Sequence, residues 1–375
     1  MGRRNITMNK TMKWTSAVLA AGVLLGGSGL VGGTFVNAAA TGGNTVKQAT
    51  QQPSVVLKYK GQVLTQQGKI VDGNTMIPLT VLRDAFGLAI DYNSTTRTYS
   101  VGSDSMKLNL EVSDYGVSTD LNGYYIYSMT GNHEAKMIND RLYVPFKLLN
   151  DYLGIQGVYN PVQKSLELSK LVMNDIKITS VSLDKSNKNA TIQIQYPKIS
   201  GLTDEVQNTI NTAFKKEAER FASEAEKEAS RRDGTIEHKY DYSQTYVVTF
   251  NREGVLSIVV DQYGYSGGAH GGTIREGHTF SLKDGKKIEL KDLLKAEPNY
   301  KQKLDKMLKQ STKDVAFPES TGGLTEKPAF FVSESGLAIF YQQYEIAPYA
   351  AGIPTYTFNF SSILPKGTNP FASFK

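Results

Sequence analysis

The sequence predicts an α+β protein: a tandem strand-helix-hairpin repeat domain followed by an antiparallel sheet packed by one or two helices. Three observations carry this expectation. Two stretches of the first half match each other without a gap at an offset of about 67 residues. From Asp175 onward apolar and polar residues alternate, the period of a half-buried strand, and one long stripe of period 3.6 interrupts that alternation. The composition suits packed domains, with 40% hydrophobic and 21% charged residues in 375. It excludes a disordered tail protein, a collagen or a multi-span membrane protein. The absence of cysteine excludes disulfides, thiolate zinc sites, iron–sulfur clusters and thiol nucleophiles.

At the N-terminus, Arg3, Arg4, Lys10 and Lys13 precede an acid-free apolar stretch from Trp14 to Val36, which ends in Val36-Asn37-Ala38. A basic start, an apolar run and a small-residue site read as a secretory signal peptide over residues 1–38, with an uncleaved N-terminal anchor as the alternative reading, followed by a linker at 39–52. Without that leader the net charge falls from +6 to +2. Residues 53–170 hold eleven basic and eleven acidic residues, and 171–375 hold 26 and 25, so no basic face offers itself to nucleic acid. The expectation is a secreted bacterial protein, free outside the cell or associated with the cell wall, with no membrane span once the leader is cut and no nucleic acid partner.

The repeat spans residues 53–170. Met76-Ile77-Pro78-Leu79 aligns with Tyr143-Val144-Pro145-Phe146, Asp84 with Asp151, Gly87 with Gly154, and Tyr92-Asn93 with Tyr159-Asn160. Each copy reads as a strand, a proline opening a short helix, a glycine stop and a hairpin. Val81, Leu82, Ala85 and Phe86 form one apolar stripe, and Leu148, Leu149, Tyr152 and Leu153 form its counterpart. This pattern resembles the stalk domain also called the copper amine oxidase N-terminal-like domain. The resemblance implies a spacer or a weak wall or protein contact. It does not carry copper with it, because the metal needs a trio of histidines and this half contains only His133.

The second domain is expected at 175–365. Strands are read at Ile176–Val181 and Ala190–Tyr196, then a long helix from Thr203 with Val206, Ile210, Ala213, Phe214, Ala218, Phe221 and Ala225 inward. Its outer face, Lys215-Lys216-Glu217 onward, mixes signs as a solvated surface does. Hairpins are read at Tyr246–Phe250 with Val255–Tyr263, at Thr279–Leu282 with Lys287–Leu290, and at Ala329–Val332 with Leu337–Gln342. A helix from about Leu293 to Lys309 and a strand at Thr355–Phe360 complete the domain, and residues 366–375 read as a tail.

Two segments escape periodicity. One runs from Tyr263 through Tyr265, Gly267, Gly268, His270 and Gly271, where glycines permit positive φ or close backbone approach. The other runs from Tyr341 through Tyr344, Glu345, Pro348 and Tyr349, a cluster of flat apolar area with hydroxyl donors. Together with Phe280-x-Leu282, Asp284-Gly285-Lys286 and Leu290-x-Asp292-Leu293, they resemble the extracellular domains of the lysozyme-sensing anti-sigma factor and of the peptidoglycan deacetylase accessory region. The resemblance implies recognition of an extracellular protein, lysozyme-like, or of a cell-wall polymer such as peptidoglycan. It implies no deacetylase chemistry, which belongs to a separate module.

The candidate ligand-binding residues are therefore Tyr265, Gly267, Gly268, His270, Gly271, Tyr344, Glu345 and Tyr349, with no cofactor and no catalytic residue. A bland role for His270 is to donate a hydrogen bond that pins the glycine-rich turn. The alternative is a zinc-dependent envelope hydrolase using His270, Glu276 and His278, since two imidazoles and a carboxylate within nine residues can ligate zinc. Asp261 with Glu345 would be a carboxylate pair of glycosidase type. No G-x-S-x-G elbow nominates a serine nucleophile.

Overall fold

The computed structural model describes residues 53–126, 131–235 and 237–375. The expected signal peptide and the linker at 39–52 lie outside the described residues. No described helix is long and apolar enough to cross a membrane.

The first half builds two sheets. Its elements in order are β1 (Ser54–Tyr59), β2 (Gln62–Val63), β3 (Gly68–Val71), β4 (Asn74–Pro78), α1 (Thr80–Asp84), β5 (Ile90–Asn93), β6 (Thr98–Val101), β7 (Leu108–Ser113), β8 (Gly116–Leu121), β9 (Tyr124–Tyr125), β10 (Lys136–Ile138), β11 (Arg141–Pro145), α2 (Phe146–Tyr152), β12 (Ile155–Asn160) and β13 (Ser165–Lys170). One sheet has the order β10-β11-β4-β3-β1-β13-β12 with β2 beside β1, and the other runs β5 to β9 in sequence order. In both matching stretches a strand leads into a helix whose apolar stripe is buried, through Val81 and Leu82 in one and Leu148 and Leu149 in the other. Gly87 and Gly154 then take positive φ, where a side chain would strain the reversal. The strands β4 and β11 pair antiparallel, Ile77 opposite Val144. The hairpins then diverge. β12–β13 closes on β1 through a parallel pairing, whereas β5–β6 starts the separate five-stranded sheet. The edge of β1 facing β13 has room for one strand, so only one hairpin can occupy it.

The second half contains β14 (Lys177–Asp184), β15 (Ala190–Ser200), α3 (Asp204–Ala229), β16 (Tyr240–Arg252), β17 (Val255–Tyr265), β18 (Gly272–Ser281), α4 (Leu290–Leu293), α5 (Tyr300–Thr312), β19 (Ala329–Ser333), β20 (Gly336–Phe340), β21 (Thr355–Phe358) and α6 (Phe360–Ile363). The mixed α+β character is as expected, but the single antiparallel sheet is not. Among the described residues there are two sheets, one of five strands from β14 to β18 and one of three from β19 to β21. The five-stranded sheet is mixed, because α3 is a crossover that returns the chain parallel between β15 and β16. The expected strand Lys287–Leu290 shrinks to one bridge from Lys287 to Phe280, since Glu289 and Asp292 close a capping box that starts α4. The helix expected from Leu293 starts only at Tyr300, because Pro298 disfavours helical backbone at the residue before it.

Alternation along β16 to β18 decides what each face meets. Tyr246, Ile258, Val260 and Phe280 pack under α3 with Val206, Ile210 and Phe214. Val247 and Val259, on the opposite face, belong to the core built by the first half. The two halves therefore share buried apolar surface. Residues 366–375 are not a free tail: Phe371 is buried and stacks on Phe250 at 4.8 Å, and Lys375 Nζ pairs with Glu253 at 2.9 Å. Two aromatic residues within the last five, Phe371 and Phe374, supply the apolar area that holds this end down.

Candidate functional site

The Gly–His loop joins β17 to β18, and the tyrosine segment follows β20. The structure brings them together. Gly267 and Gly268 adopt φ of 93° and 92°, the conformation the loop needs. Gly271 has a different reason to be glycine, since a Cβ there would collide with the ring and hydroxyl of Tyr263. The Tyr265 hydroxyl donates to the Gly268 carbonyl at 3.0 Å and braces the turn from inside.

These contacts present His270 at the loop's tip. Its Nδ1 lies 2.9 Å from the Gly271 carbonyl oxygen, which only accepts, so Nδ1 carries a proton. In the neutral ring Nε2 is then the acceptor for the Tyr344 hydroxyl at 3.2 Å. The Tyr349 ring stacks on His270 at 3.9 Å between centroids and 21° between planes, and Tyr344 lies 5.7 Å from Tyr349. Three rings thus form one cluster at the surface. His270 is exposed, Tyr349 half-buried, and Tyr344 keeps 56% of its surface open. Tyr344 also has φ of 64°, an unfavourable conformation for a bulky residue and one that the surrounding bonds must hold.

Glu345 closes the turn beneath the cluster. Its carboxylate accepts from the Gln342 N–H at 2.7 Å, and its own N–H donates to the Gln342 carbonyl at 3.0 Å, closing the turn that carries Tyr344. Gln342 and Gln343, which are not among the expected ligand-binding residues, do the anchoring. β18 is the outer strand of its sheet, with backbone groups open on one side. Gln342 accepts from the Arg275 N–H at 3.0 Å and donates to the Arg275 carbonyl at 2.7 Å, while Gln343 accepts from the Thr273 N–H at 2.8 Å. A carboxamide carries one acceptor and a donor pair, which match an exposed strand edge. The adjacent pair Gln342-Gln343 directly before Tyr344 was the signal available in the sequence.

The zinc alternative is not assembled. His278 points under α3, where its Nε2 lies 2.8 Å from Glu217 at ion-pair distance but out of hydrogen-bond alignment. Its ring stacks on Phe280 and meets Phe214 edge-on. Glu217 is thus drawn inward from the face expected to be solvated, and Ala213, expected inward, is exposed. His270 is engaged by its tyrosines on the loop, and Glu276 is exposed on the strand. Among the described residues no three histidine or acidic side chains gather as metal ligands. In the first half, His133 is held by Asp151 at 2.9 Å. Asp261 and Glu345 do not pair: Asp261 is bound to Arg275 through two bonds of 2.7 and 2.8 Å.

A second polar node lies at the junction of the halves. A cavity of about 310 Å³ is lined there by Asp151, Tyr152, Asn174, Thr249 and Glu334, among others, and a neighbouring one of about 300 Å³ shares Phe250 and Glu334 with it. Asp151 on α2 receives His133, Lys147 at 2.7 Å and the Ser335 hydroxyl at 3.1 Å. Burial pushes the Asp151 carboxyl up, but His133 and Lys147 hold it below its ordinary value. Glu334, at the β19–β20 turn, has a side chain only 7% exposed and faces Arg252 at 3.1 Å. Burial raises its carboxyl to about 7 against the pull of Arg252.

Comparison with known proteins follows the same division. A copper amine oxidase N-terminal domain model matches residues 36–101 and 56–168. A model described as deacetylase PdaC matches 183–273, and one for a protein family of unknown function, DUF3298, matches 291–361. The matched segments fall where the motifs lie that resemble these domain types. The ring cluster forms where the last two meet, with His270 in one matched segment and Tyr344 and Tyr349 in the other. A DUF3298-family structure from Bacteroides fragilis is similar at 17% identity and a TM-score of 0.41, over 53% of this chain and 97% of that one. Another, from Pseudomonas aeruginosa PAO1, matches at 17% identity and a TM-score of 0.34, over 51% and 96% respectively. No curated protein matches.

Proposed function

We propose that the protein is an exported, non-catalytic binding protein of the bacterial cell envelope, with the repeat domain as its stalk. Its second half binds an extracellular protein of lysozyme type, or a peptidoglycan strand, through the cluster of His270, Tyr344 and Tyr349. The observation that carries this reading is the convergence of the two aperiodic segments into one exposed, preformed ring cluster. Preformed aromatic surface with hydroxyl donors binds at low ordering cost, because little side-chain freedom remains to be lost. Strain at Tyr344, held by Glu345 and the two glutamines, is what a binding site sustains and a passive loop does not need. The envelope setting is supported by the leader-like N-terminus and by the deacetylase family whose model matches residues 183–273.

The test is retention of the protein on immobilised lysozyme and on purified sacculi, repeated with Tyr349→Ala. The reading expects retention on one of the two and a loss of about tenfold or more in the variant, the scale of a buried interfacial tyrosine. Retention on neither refutes it.

A further inference from the structure

Arg275 occupies an unusual place in β18. Its backbone N–H and carbonyl are the two groups gripped by Gln342, and so belong to the anchoring of the tyrosine segment. Its side chain leaves the other way. The guanidinium makes two bonds to Asp261 on β17 and a third, of 2.7 Å, from Nη2 to the hydroxyl of Tyr124 in the first half of the chain. Arg275 and Asp261 are each only 18% exposed, and Tyr124 is buried. Burial pushes the Tyr124 hydroxyl well above its ordinary range, so it stays protonated and its oxygen is free to accept from the guanidinium.

We infer that Arg275 is a positioning residue of the candidate site, and that Tyr124 of the first half buttresses the ring cluster through it. The inference rests on the reading of that cluster as the binding surface. A free strand edge lets its backbone rotate out of line, and the acceptors on Gln342 and Gln343 then lose their partners. Arg275 prevents this by being held at both ends. Asp261 fixes the guanidinium within the sheet, and Tyr124 adds a point outside the sheet, so the backbone at 275 has one setting. Gln342 is registered on that setting, and Tyr344 follows two residues later, at the position where φ is unfavourable without support. The first half is therefore part of the frame of the site as well as a stalk. Hydrogen bonds to a charged donor in a poorly solvated place are the strong ones, which suits this use.

The test uses the full chain and Tyr124→Phe, which deletes one hydroxyl and keeps the ring's packing. Amide hydrogen exchange and the imidazole resonances of His270 are recorded for the wild type, for this variant and for Gln342→Ala. In both variants the amides of Thr273 and Arg275 are expected to exchange about tenfold faster or more, as for local opening after loss of a hydrogen bond. The His270 resonances shift, while amides inside α3 and α5 keep their wild-type rates. Exchange that rises everywhere, or an unchanged edge and unchanged His270 signals in Tyr124→Phe, overturns the inference. Retention of the same proteins on lysozyme and sacculi separates the two readings. Loosening of the edge without wild-type retention keeps the positioning role and removes the proposed function.

Discussion

Glu334→Gln exposes how the junction between the halves responds to protons. The carboxyl is buried at the β19–β20 turn, which raises it most; Arg252 pulls the other way, and Asp151 and Glu253 add like charge. Its ordinary value of 4.5 rises to about 7 in the fold. An acid that holds its proton more tightly when folded loses stability as pH rises, from the unfolded value up through the folded one. Between pH 5.5 and 8 the two values correspond to a loss of about 2 kcal/mol, taking 1.36 kcal/mol per unit and the partial titration at each end. Water reaching the adjoining cavities reduces this, so about 1–2 kcal/mol is expected. Glutamine keeps the shape and cannot ionise. Urea unfolding at the two pH values measures the difference: the gap by which the variant exceeds the wild type widens by that amount from pH 5.5 to pH 8, and the two converge only below the unfolded value. A wild type and variant with parallel pH profiles would refute the argument that burial governs this carboxyl.

Asp151→Asn acts in the opposite sense. Its partners hold the aspartate below its ordinary value, so it contributes stability at neutral pH that is lost as pH falls through its folded value. The variant is expected to be less stable at pH 7 and to close on the wild type in acid, again by urea titration. Gly277→Ala would set a methyl against the Phe330 carbonyl, where β18 crosses β19. A cost of about 1–3 kcal/mol or more is expected from overpacking against backbone, read as a lower melting temperature, and an unchanged melting temperature would contradict the close crossing. Phe371→Ala removes a buried ring stacked on Phe250 and should cost about 3–5 kcal/mol. A loss below 1 kcal/mol would show that residues 366–375 do not stabilise the fold.

Much of this architecture is written in local pattern. The paired openings Met76-Ile77-Pro78 and Tyr143-Val144-Pro145, the stripe from Val206 to Ala225 and the turn at Asn251 to Gly254 are legible because hydrophobic period, proline and glycine act over a few residues. The Gly–His loop and the tyrosine segment stand out for the complementary reason, that neither period explains them. What no local rule could reach is pairing across distance. The anchoring of Gln342 on Arg275 joins residues 67 apart, and the Tyr124 bond joins residues 151 apart. His278 could be read from its neighbours as a zinc ligand, but its partner Glu217 arrives on a helix laid across the sheet. Backbone propensity depends on adjacent atoms, whereas the charge, burial and partners of a side chain depend on which surfaces the chain folds against each other. The composition of the candidate site was therefore visible in one dimension, and its support was settled in three.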